Sequence, residues 1–189
     1  MEKYSLRSQL FSCATLAALG LVIIHFAHPQ PLAQVLLAGM PWLDQLALGA
    51  ALGLAIGLVS AVSSLRQPSA EAVQRTTASY ARLDLSGWNP AWISLGAGIS
   101  EELLFRAALQ PLIGIWGASL LFLLAHARAY EFHRIDRAAL LQASGVLGMA
   151  LAFGLGFEYI GLLAMMVAHT IIDIVGLLIV RRLAARQGR

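Results

Sequence analysis

Long stretches of apolar side chains alternate with short polar connections along this chain. A transmembrane helix needs about 20 mostly apolar residues. Six runs approach that length, and they cover residues 10–27, 43–65, a run starting near Pro90, 112–127, 138–157 and 159–180. The pattern predicts an all-α polytopic membrane protein with about six transmembrane helices.

Composition supports the same class. The chain has 189 residues, of which 59% are hydrophobic and only 12% are charged, whereas about a quarter of the residues in a soluble domain are charged. No internal repeat interrupts the pattern, so residues 1–189 are expected to form a single integral membrane domain. The first run lacks a small residue three positions before its end, which favours a retained helix over a cleaved signal peptide.

Basic residues indicate the orientation of the chain. Twelve of the 13 Lys and Arg residues lie in the N-terminal segment, in the connections 66–89 and 128–137, and in the C-terminal tail. Basic loops stay on the cytoplasmic side, so both termini are predicted to be cytoplasmic, in a multi-pass protein of the cell (inner) membrane. Because this bias explains the positive charge, a lipid bilayer is the expected partner and nucleic acid is not.

Three smaller patterns predict further elements. Gly49, Gly53 and Gly57 recur every four residues and predict a small-residue face for close helix contact. Val73, Tyr80 and Leu83 recur at helical spacing in the 66–89 connection and predict a short amphipathic helix on the cytoplasmic surface. The apolar run 31–42 contains Pro41, so it is expected to be interfacial or re-entrant.

The thirteenth basic residue lies inside the third apolar run, in "ISEELLFRAAL" (99–109). On a helix, Glu102 and Arg106 are four residues apart and share a face, which predicts an ion pair. Glu101 points about 140° away from Arg106. A carboxylate inside the membrane is costly and usually faces a bundle interior or a water-filled cavity, where Glu101 could act as a general base.

Two more apolar runs contain ionisable groups. "FLLAH" places Phe122 and His126 four residues apart, and "HTIID" does the same for His169 and Asp173. Taken singly, each histidine could be a packed, hydrogen-bonded residue, the Glu102–Arg106 pair could be structural, and Glu101 could relay protons in a transporter. Their joint occurrence on three predicted helices favours one shared polar site.

In this order the three motifs resemble the CPBP family of intramembrane endopeptidases, which includes the CAAX prenyl proteases and the bacteriocin-processing (Abi) proteins. The motifs are Glu-Glu-x-x-x-Arg at 101–106, Phe-x-x-x-His at 122–126 and His-x-x-x-Asp at 169–173, and the resemblance covers about residues 90–180. Ala107 departs from the glycine usual in the family.

The resemblance implies hydrolysis of a peptide bond in a membrane protein or a lipidated peptide. Glu101 would activate water, His126 and His169 would act as oxyanion donors or metal ligands, and Glu102 and Arg106 would support the site. Asp173 stands where the family often has asparagine, so it would be protonated, orient His169 or hold a cation. No His-Glu-x-x-His motif is present, but zinc or another divalent metal could be held by Glu101, His126, His169 and Asp173.

Two other functions remain open. One is an inactive family member that acts as a scaffold or bacteriocin-immunity protein, and the other is a small proton-coupled transporter. The active site is expected to be reached from the cytoplasmic side. Glu101 and His169 lie at similar predicted depth, about 17 and 18 Å from the ends of their runs, but His126, two residues before Arg128, is expected to be shallower. Either its helix continues past Arg128 or the cavity is open to cytoplasmic water.

Overall fold

The computed structural model describes residues 3–127 and 136–187, and this part of the chain is helical, with two isolated backbone bridges besides. The predicted all-α class is confirmed. In chain order the helices are α1 Leu6–Ala27, α2 Leu32–Leu36, α3 Trp42–Arg66, α4 Glu71–Tyr80, α5 Asn89–Glu102, a π-helix Leu103–Leu109, α6 Gln110–Ala125, α7 Arg137–Tyr159 and α8 Leu162–Gln187. The connection 128–137 that was predicted to be cytoplasmic lies largely outside the described residues.

Five helical stretches in the described part are long and apolar enough to cross a membrane, and one of them, Asn89–Ala125, contains both the third and the fourth predicted spans. Its backbone leaves the helical conformation at Gly114, where φ is 72° and ψ is 168°. The Phe105 and Phe122 ring centroids are 5.1 Å apart, although a straight helix would separate these residues by about 25 Å. The chain therefore turns back at Gly114.

The arm that follows this turn is short. Residues 115–125 remain helical beyond Gly114, which corresponds to about 16 Å of helix. The fourth predicted span, 112–127, is thus an arm too short to cross the bilayer. It ends at Ala125 and does not continue as a helix towards Arg128.

α8 is held in place by the close approach of α3. Gly49, Gly53 and Gly57 are all buried, which confirms the predicted contact face. A Cβ atom added at Gly53 would lie 2.9 Å from the carbonyl oxygen of Ala168, and one added at Gly49 would meet the backbone of Ala164. Only glycine allows these backbones to come so close, so this face fixes the helix that carries His169.

α5 lies between α1 and α8. A Cβ atom at Gly98 of α5 would lie 3.0 Å from the carbonyl oxygen of Met166 in α8, and one at Gly20 of α1 would lie 3.2 Å from the backbone of Leu104, at the start of the π-helix that continues α5. Both glycines are buried. The helix that carries the two glutamates is therefore packed closely on two sides.

The basic segments of the described chain gather at one end of the bundle. The N–H of Tyr4 donates to the carbonyl of Arg82, and the guanidinium of Arg181 donates to the carbonyls of Leu85 and Gly87. The N-terminal segment, the connection before α5 and the end of α8 therefore share one end, called here the basic end. That this end faces the cytoplasm remains a prediction.

The short helix predicted in the 66–89 connection is present as α4. Tyr80 and, just past its end, Leu83 pack against a cluster that includes Leu177 and Val180 of α8. On its other side, α4 is tied to the start of α7 by polar contacts. The short helix α2 lies in the run 31–42, and this run is joined to the α7–α8 turn by a hydrogen bond from Met40 N–H to the Ile160 carbonyl.

Candidate active site

Glu102 and Arg106 form the ion pair that their spacing predicted. Arg106 Nε donates to Glu102 Oε2 over 3.1 Å, and the two side chains are 0% and 1% exposed. A buried ion pair is stable only when further hydrogen bonds satisfy the remaining polar atoms. Glu102 has such a bond, because Nδ1 of His169 donates to its other oxygen over 2.7 Å.

The chain carrying this pair leaves α-helical geometry directly after Glu102, in the π-helix Leu103–Leu109. π-Helical turns are rare in proteins overall, but those that occur are often found at functional sites. Pro111 has no N–H to donate to a carbonyl of the preceding turn. Nε2 of His28, at the end of α1, donates to the Ala108 carbonyl over 2.9 Å. This bond supports the backbone of the π-helical segment.

The two histidines of the site are oriented alike. Nδ1 of His126 donates to the Phe122 carbonyl over 2.9 Å, as Nδ1 of His169 does to Glu102. These Nδ1 atoms must be the donors, because a carbonyl or carboxylate oxygen only accepts. Each ring therefore presents Nε2 to the space around Glu101. Nε2 of His126 is 3.6 Å and Nε2 of His169 is 4.0 Å from Glu101 Oε2.

The Glu101 carboxylate differs from its neighbour. Its Oε2 atom is buried and has no hydrogen-bond partner among the described residues, whereas both oxygens of Glu102 accept hydrogen bonds. The gaps of 3.6 and 4.0 Å are too long for direct hydrogen bonds, so the carboxylate faces both imidazoles without being bonded to either. Glu101, His126 and His169, from α5, the end of α6 and α8, thus converge on one point, as predicted from the sequence.

Asp173 lies at the accessible edge of this cluster. Its Oδ2 atom is 3.6 Å from Nε2 of His169, and its side chain is 38% exposed, compared with 17% for Glu101. Asp173 is one helical turn closer than His169 to the end of α8, which lies at the basic end. Exposure therefore increases from Glu102 through Glu101 to Asp173, towards that end.

Aromatic rings enclose the histidines. Phe153 of α7 contacts the His169 ring edge-on, with centroids 5.7 Å apart, and Phe122 stacks on His126. Sequence reasoning missed Phe153 because no motif marks it. Its only signal is its place in an apolar run, which does not tell which helix it faces.

The donor types suit a divalent metal, since each histidine bonds through Nδ1 to a protein oxygen, as metal-binding histidines do with the ring nitrogen that does not hold the metal. Among the described residues, however, no group of three or more His, Cys, Asp or Glu side chains is arranged to hold a metal ion. The described side chains therefore offer suitable donor types but are not arranged as a metal site.

The fold and the site define a helical membrane protein with a buried carboxylate–histidine cluster. Residues 85–175 match the family model described as Rce1-like, type II CAAX prenyl endopeptidase Rce1-like. Residues 85–175 thus form a domain of that protease family, which confirms the family predicted from the three motifs. Searches of curated proteins and of solved structures gave no significant match.

Proposed function

We propose that the protein is an intramembrane endopeptidase that hydrolyses a peptide bond of a membrane protein or lipidated peptide, with water activated by Glu101. The observation that carries this proposal is the position of Glu101 Oε2. It is buried, has no hydrogen-bond partner in the described part of the chain, and lies 3.6 and 4.0 Å from two histidine nitrogens. A water molecule bound to this oxygen, beside the two imidazoles, is placed for proton transfer to the carboxylate.

The reaction begins when Glu101 takes a proton from this water and the resulting hydroxide attacks the peptide carbonyl carbon. The carbonyl oxygen becomes an oxyanion in the tetrahedral intermediate. The carbon–nitrogen bond then breaks, and Glu101 returns the proton to the leaving amine. The products are a carboxylic acid and an amine, so the atoms of one water molecule are accounted for.

His169 is the proposed oxyanion donor. Its Nδ1–H stays on the ring and donates a hydrogen bond to Glu102, so a second proton on Nε2 makes an imidazolium that can donate to the oxyanion. The fully buried Glu102 carboxylate, 2.7 Å from Nδ1, stabilises that cation. Glu102 is in turn held by Arg106, so the three residues form one chain of support behind the reacting atoms.

Asp173 is proposed to orient and stabilise the His169 imidazolium. Its carboxylate lies 3.6 Å from Nε2 of that ring, which suits a charge interaction or a bridging water. An ionised aspartate repels an oxyanion, so it does not take the donor role that asparagine could fill. In this chain, that role falls to His169.

The substrate is proposed to approach from the basic end. Asp173, the most exposed member of the cluster, lies on the side of His169 nearer to that end. If the basic end is cytoplasmic, the scissile bond lies near the cytoplasmic face of the membrane. A membrane-associated chain can then place a short segment in the cavity while its anchor stays in the bilayer.

The test is a comparison of protein termini in membranes that contain the wild-type protein or Glu101→Gln. New N- and C-termini that depend on Glu101 identify substrates and separate a protease from a scaffold, an immunity protein or a transporter. A farnesylated CAAX peptide, incubated with the purified protein in lipid nanodiscs, tests the substrate class directly. If no terminus depends on Glu101 and the peptide stays intact, the protease assignment fails.

Zinc or another divalent metal is tested in the same peptide assay. Dialysis against EDTA, followed by metal analysis, should leave cleavage unchanged if Glu101 acts without a metal. If EDTA abolishes cleavage and added zinc restores it, the water is activated by a metal site and not by Glu101 alone.

A further inference from the structure

The ring of Phe122 contacts several residues of the site, although no proposed catalytic step uses it. It is stacked on His126, with centroids 4.3 Å apart and planes inclined by 24°. Its centroid is 6.3 Å from that of His169, and the guanidinium carbon of Arg106 is 5.3 Å from it. One apolar side chain is thus next to both histidines and the arginine.

His126 needs such a neighbour because of where it lies. α6 ends at Ala125, and His126 is the capping residue of this short arm. Helix ends fray, and rotation of an imidazole about its second side-chain torsion is only weakly restricted. Without further contacts, the direction of Nε2 would be poorly defined.

Phe122 holds His126 at three points. Its carbonyl accepts the backbone N–H of His126 over 3.2 Å and the ring Nδ1–H over 2.9 Å, while its ring lies against the imidazole. The Nδ1 hydrogen bond fixes the tautomer, and the stacking fixes the plane of the ring. Together they direct Nε2 towards Glu101.

Phe122 is itself fixed by the π-helix. Phe105 contacts it edge-on at 5.1 Å, and Arg106 lies over its ring at a distance suited to a cation–π interaction. Arg106 also forms the ion pair with Glu102. The segment that places the glutamates therefore also places His126, through Phe122.

From these contacts we infer that Phe122 is a positioning residue, whose aromatic ring sets the orientation of His126 towards Glu101 and the reacting water. The consequence for catalysis rests on the proposed function, but the consequence for the His126 ring does not. The two are measured separately.

The first measurement does not need activity. In protein labelled with ¹⁵N and ¹³C histidine, His126 is assigned by comparison with His126→Gln. The Phe122 ring should shift the His126 ring signals upfield, and the nitrogen shifts should report a proton on Nδ1. Phe122→Leu should remove the upfield shift and broaden or split the signals, whereas Phe122→Tyr should keep them. If the His126 signals of Phe122→Leu match the wild type, the inference is overturned whether or not the protein is a protease.

The second measurement is kinetic. Displacement of a reacting group by about 1 Å can cost on the order of 100-fold in rate, so Phe122→Leu should lower kcat by roughly 10- to 100-fold with little change in KM. Phe122→Tyr should recover most of kcat. Phe157→Leu is the matched control, because Phe157 packs in two core clusters without being a member of the site. It should lower the thermal stability but keep kcat.

Equal losses of kcat in Phe122→Leu and Phe157→Leu would mean that Phe122 contributes only to packing, and this would overturn the inference. A normal kcat in Phe122→Leu despite altered His126 signals would do the same. If wild type cleaves nothing, the proposed function fails, and the histidine spectra still decide whether Phe122 orients His126.

Discussion

Nδ1 of His169 donates a 2.7 Å hydrogen bond to Glu102, a residue 67 positions earlier in the chain. This bond joins α8 to the end of α5 inside the apolar bundle, and the same carboxylate accepts from Arg106. Glu102 is therefore a structural centre of the site, while its neighbour Glu101 keeps an oxygen facing the histidines. The two adjacent glutamates should respond to the same substitution in opposite ways.

Glu102→Gln should be strongly destabilising. The substitution removes the charge that compensates Arg106, whose side chain is 1% exposed, and breaking a buried ion pair from one side typically costs roughly 3–5 kcal/mol. Glutamine also cannot accept from both Arg106 and His169 as the carboxylate does. A thermal-shift series in detergent should show a lower melting temperature, accompanied by loss of cleavage.

The control for this prediction is the double variant Glu102→Gln with Arg106→Met. It removes the uncompensated cation, so part of the lost thermal stability should return. If the double variant is less stable than Glu102→Gln, the ion pair is not the reason for the instability.

Glu101→Gln should leave the fold intact and abolish catalysis. Glu101 Oε2 has no hydrogen-bond partner in the described chain, so an amide there removes a buried charge without removing a bond from that atom. Thermal stability should be equal to or higher than that of the wild type. Loss of a general base lowers rates by roughly 10²–10⁴, which a peptide-cleavage assay detects. Full cleavage by Glu101→Gln, or a greater loss of stability than in Glu102→Gln, would contradict the division of roles.

The convergence of Glu101, His126 and His169 was predicted from the joint occurrence of the three polar motifs. Hydrophobicity and helical spacing were sufficient to predict the class of fold and the Glu102–Arg106 pair. These features depend on segment length and on distances within one helix. Contacts between helices were not accessible in this way. The sequence indicated a small-residue face at Gly53 but not that it meets α8, and no pattern linked Glu102 to His169.

The depth predicted for His126 was wrong. It was counted back from the basic residue Arg128, which suggested a position shallower than that of Glu101. The relevant reference is the turn at Gly114. Glu101 precedes it by about 20 Å of helix and His126 follows it by about 18 Å, so the two residues lie level in antiparallel arms. Pro111 and Gly114 are local signals of this turn, but they did not reveal that the second arm is short.

The turn at Gly114 and the C-terminus should lie on opposite sides of the membrane. The connection just before α5 is bonded to Arg181 at the basic end, and about 37 Å of helix separates the start of α5 from Gly114. Reporter fusions at Arg189 and near Gln110 should therefore give opposite locations, with Arg189 cytoplasmic. A fusion in the 66–89 connection serves as a control and should match Arg189. Equal locations at Arg189 and Gln110 would contradict the predicted topology.

The contact between α4 and α7 should weaken in acid. Arg75 donates to both oxygens of Asp136 over 3.3 and 2.6 Å, and this hydrogen bonding holds the pKa of Asp136 below its usual value. A carboxyl group with a lowered pKa stabilises the fold above its unfolded pKa, and that contribution disappears as the pH falls through the folded pKa. The loss should therefore occur below about pH 4, the ordinary range of aspartate.

The informative variant is Asp136→Ser. Asp136 also caps α7 by accepting from the N–H of Ala139, and serine retains a helix cap while removing the bond to Arg75. At neutral pH, backbone hydrogen exchange in the α4 peptides should be faster in Asp136→Ser than in wild type. After correction for intrinsic exchange rates, this difference should vanish as the pH falls below about 4.

Glu71→Gln is the matched control, since Glu71 pairs with Arg75 within α4 and its side chain is 60% exposed. It should leave the exchange of α4 nearly unchanged, because exposed pairs within one helix contribute little. An equal effect of both variants would mean that the bond to Asp136 is not what holds α4 on α7.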